Sequence, residues 1–160
     1  MDRQAVLEAV AAQFDRAWDM FRGAVRAFPE TEWRKGEPDR LAPARLALHV
    51  IAPAVFYGEA NSHDASGRAK RLGRAWADAP LDELPDQKET LAWLDRIEPP
   101  VRRWLCDLGD DDALAPQEEF RHTGANRLER AVYLLRHIQH HVGEMNAECC
   151  RRGIPRPKWK

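Results

Sequence analysis

The chain has 160 residues, 44% of them hydrophobic, with 25 Lys and Arg set against 26 Asp and Glu. So even a balance gives no basis for nucleic-acid binding or for attachment to an anionic membrane surface, and no apolar run approaches the roughly 20 residues of a bilayer span. The three cysteines, Cys106, Cys149 and Cys150, are an odd number with two adjacent, so no disulfide framework is implied and a reducing compartment is expected.

A chain of this length buries about 70% of its unfolded surface without staples, which leads us to expect one domain over 1–160. Met1-Asp2-Arg3-Gln4 opens directly into an amphipathic pattern rather than a signal peptide, so the expected location is the cytoplasm. Val6, Val10, Phe14, Ala17, Phe21, Ala24, Val25 and Phe28 recur at three- and four-residue steps and predict a first helix ending at Pro29. Gly36, Pro38 and Asp39 punctuate a loop, after which Pro43 suits the first turn of a second helix that fades after Asn61. His49 lies in its most apolar part, Leu46-Ala47-Leu48-His49-Val50-Ile51-Ala52, and Pro53 four residues on should kink the backbone there. Taken alone, His49 reads as a core histidine bonded to a carbonyl.

From Ser62 to about Pro85 the helical pattern breaks, with only Leu72 and Trp76 suited to packing inward; His63 reads as solvated. So long a connection is expected to cross the bundle or cover one end of it. Asp86 with Glu89 forms a capping box for a third helix carrying Leu91, Leu94, Ile97, Val101, Trp104, Leu105 and Leu108, which Pro99-Pro100 should bend or divide. Asp110-Asp111-Asp112 lacks the spacing of a calcium loop and reads as a solvated turn. Asn126 with Glu129 opens a fourth helix, and His122 just before it either caps that helix or lines a site. The basic tail Arg151 to Lys160 is expected to be packed by Trp159.

The fourth helix carries the chemistry. Ala131, Leu134, Leu135, Ile138, Val142, Met145 and Cys149 hold helical spacing, which sets His137 and His141 one turn apart on one side and rotates His140 by roughly 100° from His141. A His-x-x-x-His pair is half a metal site, and equally often a pair of unliganded histidines. Beside a buried face, however, two uncompensated imidazoles are costly. If His49 meets them, three imidazoles from two helices would hold a divalent metal with open positions, the arrangement of a catalytic site. Glu144 is either an outer carboxylate or base for that site or a solvated partner for an arginine. Glu59, about 15 Å along an ideal helix from His49, is too far to ligate. Adjacent Cys149 and Cys150 point apart, the first toward the core and the second outward. The four helices and the absence of strand alternation predict an all-α bundle. Di-iron spacing is excluded because Leu134, Ile138 and Leu46 stand where Glu is required, and zincin spacing because Ile138 follows His137.

Phe28-Pro29-Glu30-Thr31-Glu32-Trp33, then Leu48-His49-Val50-Ile51, then His137-x-x-His140-His141-x-Gly143-Glu144 before Gly153-Ile154-Pro155 resemble the DinB family, the DinB/YfiT-like superfamily, over nearly the whole chain. The resemblance implies a four-helix bundle of up-down-down-up connectivity, with 62–85 as the crossover between helices two and three. It also implies a divalent metal, zinc, nickel or iron, held by His49, His137 and His141. Relatives of this kind act on small molecules, some as transferases or isomerases that use a low-molecular-weight thiol, and are often dimeric. Here Val142 and Glu144 stand where Arg and Gln are common. The expectation is thus a metal-dependent thiol S-transferase or hydrolase with a small-molecule substrate; the alternative is a non-catalytic metal-binding or scaffold bundle in stress response. A homodimer would use exposed apolar residues such as Trp18 or Tyr133.

Overall fold

A computed structural model describes residues 3–58, 76–108 and 113–159. Its long helices are α1 (Arg3–Ala27), α3 (Pro43–Tyr57), α4 (Gln87–Cys106) and α5 (Arg127–Arg151), with a single turn α2 (Glu30–Trp33) after α1. Among the described residues there is no strand, only an isolated antiparallel bridge between Pro116 and Asn126. None of the described helices is long and apolar enough to cross a membrane. Glu59, Asn61, His63, Leu72 and Asp110 to Asp112 lie outside the described residues.

α1 packs against α4 and α5, and α3 packs against the same two helices, so all four contribute to one hydrophobic cluster. Phe14, Phe21, Leu48, Ile51, Leu94, Ile97, Leu134 and Ile138 are among its largest fully buried members, each adding about 1.5–3 kcal/mol relative to exposure. Along α1 the buried stripe runs through Leu7 and Ala11 while Val6 and Val10 stay half-buried, one position later than the periodicity alone places it. Trp18 is 3% exposed and its ring packs 6.4 Å from Phe14 and 6.3 Å from Phe21. It belongs to the core, which removes it as a dimer contact.

The helix starts follow their caps. The Asp86 side chain accepts a 2.7 Å hydrogen bond from the Glu89 N–H, and the Asn126 side chain accepts one of 2.9 Å from the Glu129 N–H. Glu129 reaches back to the N–H of Ala125 at 2.9 Å, one residue before the cap. Pro43 occupies the first turn of α3, where its missing N–H costs nothing. Neither Pro53 nor Pro99-Pro100 divides its helix. In α4 the carbonyls deprived of donors belong to Asp95 and Arg96, which stand on the exposed side, so solvent can satisfy them. Arg22 of α1 bonds Asp95 at 2.7 Å and Glu98 at 2.6 Å, fastening α4 just before the prolines.

At its C-terminus α5 closes with Gly153 at φ 67°, the N–H of Ile154 donating to the Cys149 carbonyl at 2.8 Å and that of Gly153 to the Cys150 carbonyl at 3.1 Å. This is the six-to-one and five-to-two pairing that glycine at this position allows. Arg152 then ties the helix end to the loop after α2, donating to the carbonyls of Glu32 at 3.1 Å and Lys35 at 2.9 Å. Trp159, expected to pack the tail, is 78% exposed. The tail is seated instead by Pro157, whose Cβ lies 3.1 Å from where a Cβ on Gly23 of α1 would stand. Glycine at 23 leaves the room that an indole at 159 does not use.

Candidate metal centre

The Asn126 cap fixes the phase of α5, and Ile138, Val142 and Met145 bury one side of it completely or nearly so. His137 and His141 follow that side at its edge, half-buried and 9% exposed respectively. α3 packs on the same side of α5 and brings His49 to them. The three Nε2 atoms converge: His137 Nε2 lies 3.3 Å from His49 Nε2 and 3.2 Å from His141 Nε2. Burial, and after it the charge of neighbouring imidazoles, pushes His137 down from 6.5 to about 3 and His49 down to about 4. His141 is lowered by burial too, against the opposing pull of Glu144. All three rings are therefore neutral near pH 7, the form in which imidazole donates a lone pair to a metal.

Hydrogen bonding alone does not account for this convergence, because a single Nε2 proton on His137 can serve only one of its two neighbours. A tetrahedral cation does. Zinc–nitrogen bonds of about 2.0–2.1 Å set at tetrahedral angles place ligand nitrogens roughly 3.3–3.4 Å apart, close to the separations seen. His49, His137 and His141 can thus hold a divalent ion. His49 makes no bond to a carbonyl, since its buried Nδ1 has no hydrogen-bond partner among the described residues, and the same is true of His137 Nδ1.

A second group that could hold an ion, His140, His141 and Glu144, overlaps the first. Here Glu144 Oε2 already lies 2.6 Å from His141 Nδ1, while Oε1 is 3.6 Å from the exposed His140. The short bond identifies Nδ1 as the protonated nitrogen of His141 and leaves its Nε2 lone pair for the buried group. Glu144 has no arginine partner among the described residues.

Aromatic rings surround the three histidines. Trp76 stacks on His49 with centroids 3.7 Å apart, and Tyr133 lies parallel to His137 at 6.1 Å. Tyr133 in turn meets the rings of Tyr57 and His122, whose Oη and Nε2 are 2.9 Å apart. His122 therefore neither caps α5 nor reaches the three imidazoles; it pairs with Tyr57. A cleft of about 410 Å³ lined by Tyr133, Arg136, His137 and His140 opens beside the cluster. A larger cavity of about 490 Å³, between the C-terminal tail and Met20 and Asn146, contains none of the three histidines. Tyr133, read from the sequence only as a dimer contact, lines the cleft beside the cluster, and its place one turn before His137 is the signal that could have found it. Trp76 carried no signal beyond a capacity to pack inward, and nothing in the sequence singles out Arg45, which holds the Trp76 backbone. Cys149 is buried and Cys150 exposed, as their adjacency predicts.

The DinB superfamily model matches residues 13–145, which include all three histidines and Glu144, and the chain belongs to that superfamily. No curated protein and no solved structure matches it.

Proposed function

We propose that this DinB-superfamily chain is a metal-dependent enzyme, a thiol S-transferase or a hydrolase, whose His49, His137 and His141 bind zinc, nickel or iron through Nε2. The observation that carries this reading is the convergence of three neutral Nε2 atoms beside a cleft that opens on His137. A buried structural site needs four protein ligands, whereas three with an adjoining cleft leave a place for a small molecule. A divalent cation there supplies Lewis acidity, which lowers the pKa of a water or thiol toward neutrality.

The chain's own residues then have separate tasks. Glu144 accepts the Nδ1 proton of His141 and keeps that ring in the tautomer that presents Nε2; with Oε2 so engaged, we assign it to orientation rather than to proton transfer. Tyr133, Arg136 and His140 form the walls against which a small-molecule substrate is oriented next to His137. The family resemblance supplies the thiol as cosubstrate, and the geometry serves either nucleophile. We further propose a single domain over 1–160, a four-helix bundle of up-down-down-up connectivity, and a homodimer in which Val132, 50% exposed, takes the role that Trp18 cannot.

Elemental analysis of protein purified without a histidine tag tests the reading. Near-stoichiometric metal in the wild type, lost in H49A and H141A, is expected and justifies assays of thiol transfer and hydrolysis. A wild-type chain that carries no metal and takes up none when offered zinc, nickel or iron excludes the enzyme reading and favours the non-catalytic scaffold.

A further inference from the structure

A histidine ligand usually has its second ring nitrogen bonded to a carboxylate, carbonyl or water, and that bond fixes both tautomer and ring orientation. His141 has such a partner in Glu144, but His49 has none among the described residues: its Nδ1 is buried and unbonded. A ring in that position keeps a broad, roughly two-fold χ2 freedom unless packing removes it. The packing present is Trp76, whose indole lies 3.7 Å from the imidazole centroid to centroid, with planes 29° apart. No other described ring comes so close to His49, the next being His141 at 4.6 Å.

Trp76 is itself held by a device on the same helix. Arg45 stands one turn before His49 on α3 and is 4% exposed. Its guanidinium donates to the carbonyls of Trp76 at 2.5 Å, Ala77 at 2.9 Å and Ala79 at 2.7 Å. Those carbonyls replace the water lost by Nη1 and Nη2, while the buried Nε is left without a partner among the described residues. One helix side thus captures one segment twice: Arg45 takes its backbone, and His49 receives its indole.

We infer that Trp76 is a positioning residue of the metal centre, its indole clamped through Arg45 and pressed on the His49 ring so that Nε2 faces His137 and His141. Stacking does for His49 what the carboxylate of Glu144 does for His141. The indole also covers one face of the ligand ring. This inference rests on the metal reading given above.

Cobalt(II) affinity by chelator competition, measured for wild type, W76F, W76A and H49A with thermal melting as a folding control, tests it. Outer groups that orient a ligand typically matter by 10–100-fold in metal affinity, so W76A is expected to bind cobalt about 10-fold more weakly, with W76F restoring most of the loss because a phenyl ring still stacks. The emission difference between wild type and W76F, which isolates Trp76 from the other five tryptophans, should be quenched in proportion to bound cobalt. R45M should weaken binding as W76A does and add nothing to it in the double variant, since both act along one path. Cobalt binding by W76A as tight as wild type, or Trp76 emission indifferent to cobalt, overturns the inference while the metal reading stands. Absence of cobalt binding by the wild type removes both. Should W76A fail to fold, W76L takes its place, since leucine keeps apolar bulk without a ring to stack, and cobalt binding by W76L as tight as wild type overturns the inference.

Discussion

The Glu144–His141 contact yields the sharpest quantitative test of the metal centre. A carboxylate accepting the Nδ1 proton at 2.6 Å is a charge-assisted hydrogen bond, worth about 1.5–3 kcal/mol. The Glu144 side chain is 34% exposed, and screening places the value at the lower end, about 1.5 kcal/mol. At 1.4 kcal/mol per decade, E144A should weaken zinc binding about 10-fold, within the range for groups that orient a metal-binding histidine. E144Q keeps an amide oxygen that can accept the same proton without the charge, so a loss of about threefold is expected. Competition against a chromophoric chelator at neutral pH reads both values. His140 supplies the control: at 68% exposed and 3.6 Å from Glu144, its removal should change affinity by less than about twofold. Unchanged zinc affinity in E144A refutes the orienting role. If H140A instead weakens zinc as much as H141A does, the ion sits among His140, His141 and Glu144, and His49 and His137 are not its ligands.

Zinc at about 100 times its dissociation constant should stabilise the folded chain by about 2.7 kcal/mol, a rise in Tm of roughly 5–10 °C, and H49A or H137A should abolish that rise in calorimetry. E148A should cost about 3 kcal/mol at neutral pH, because Glu148 is 5% exposed and its loss leaves the guanidinium of Arg152 only the more distant Glu32 carboxylate at 3.6 Å. The hydrogen bond from Arg151 leads the causes that hold the Glu148 carboxyl below its ordinary 4.5, so this stability is complete above 4.5 and disappears as pH falls through the lower folded value. Urea melts at a series of acid pH values should therefore show the gap between wild type and E148A closing below about 4.5; a constant gap contradicts the assignment. G58A should lower Tm, because a Cβ there meets the Ala54 carbonyl oxygen and Val101 Cγ2, each at 2.7 Å, costing about 1–3 kcal/mol. Its zinc affinity should stay at the wild-type value, as Gly58 stands nine residues beyond His49, and a matched loss of affinity would show that the α3–α4 contact reaches the histidines.

The long helices, two of their caps and the pairing of His137 with His141 were legible because each rests on local chemistry, whereas the residues alone left it open whether His49 meets them and the family resemblance supplied it. Asp86 and Asn126 cap by reaching three residues forward, and His137 and His141 share a side because four residues complete a turn. Elements without such a rule were read less well. Pro99-Pro100 is expected to bend or divide α4; it does not divide it, and the carbonyls it deprives stand on the solvent side of the helix, a fact of packing rather than of the dipeptide. Trp18 and Trp159 reverse the expected burial for a similar reason: the core accepts an indole between Phe14 and Phe21, whereas the tail residue seated at Gly23 is Pro157. The Trp76 stack was hidden for a further reason. Arg45 recognises carbonyl oxygens, which every residue possesses, so the segment it selects has no side-chain signature to match. Helix periodicity can therefore nominate the ligands of such a site but not what holds them, because the holding is done by backbone geometry that only the folded chain creates. Variants at Arg45 and Trp76 accordingly test more than one site: they ask whether a metal centre nominated by three histidines depends on a contact that none of their sequence neighbours announces.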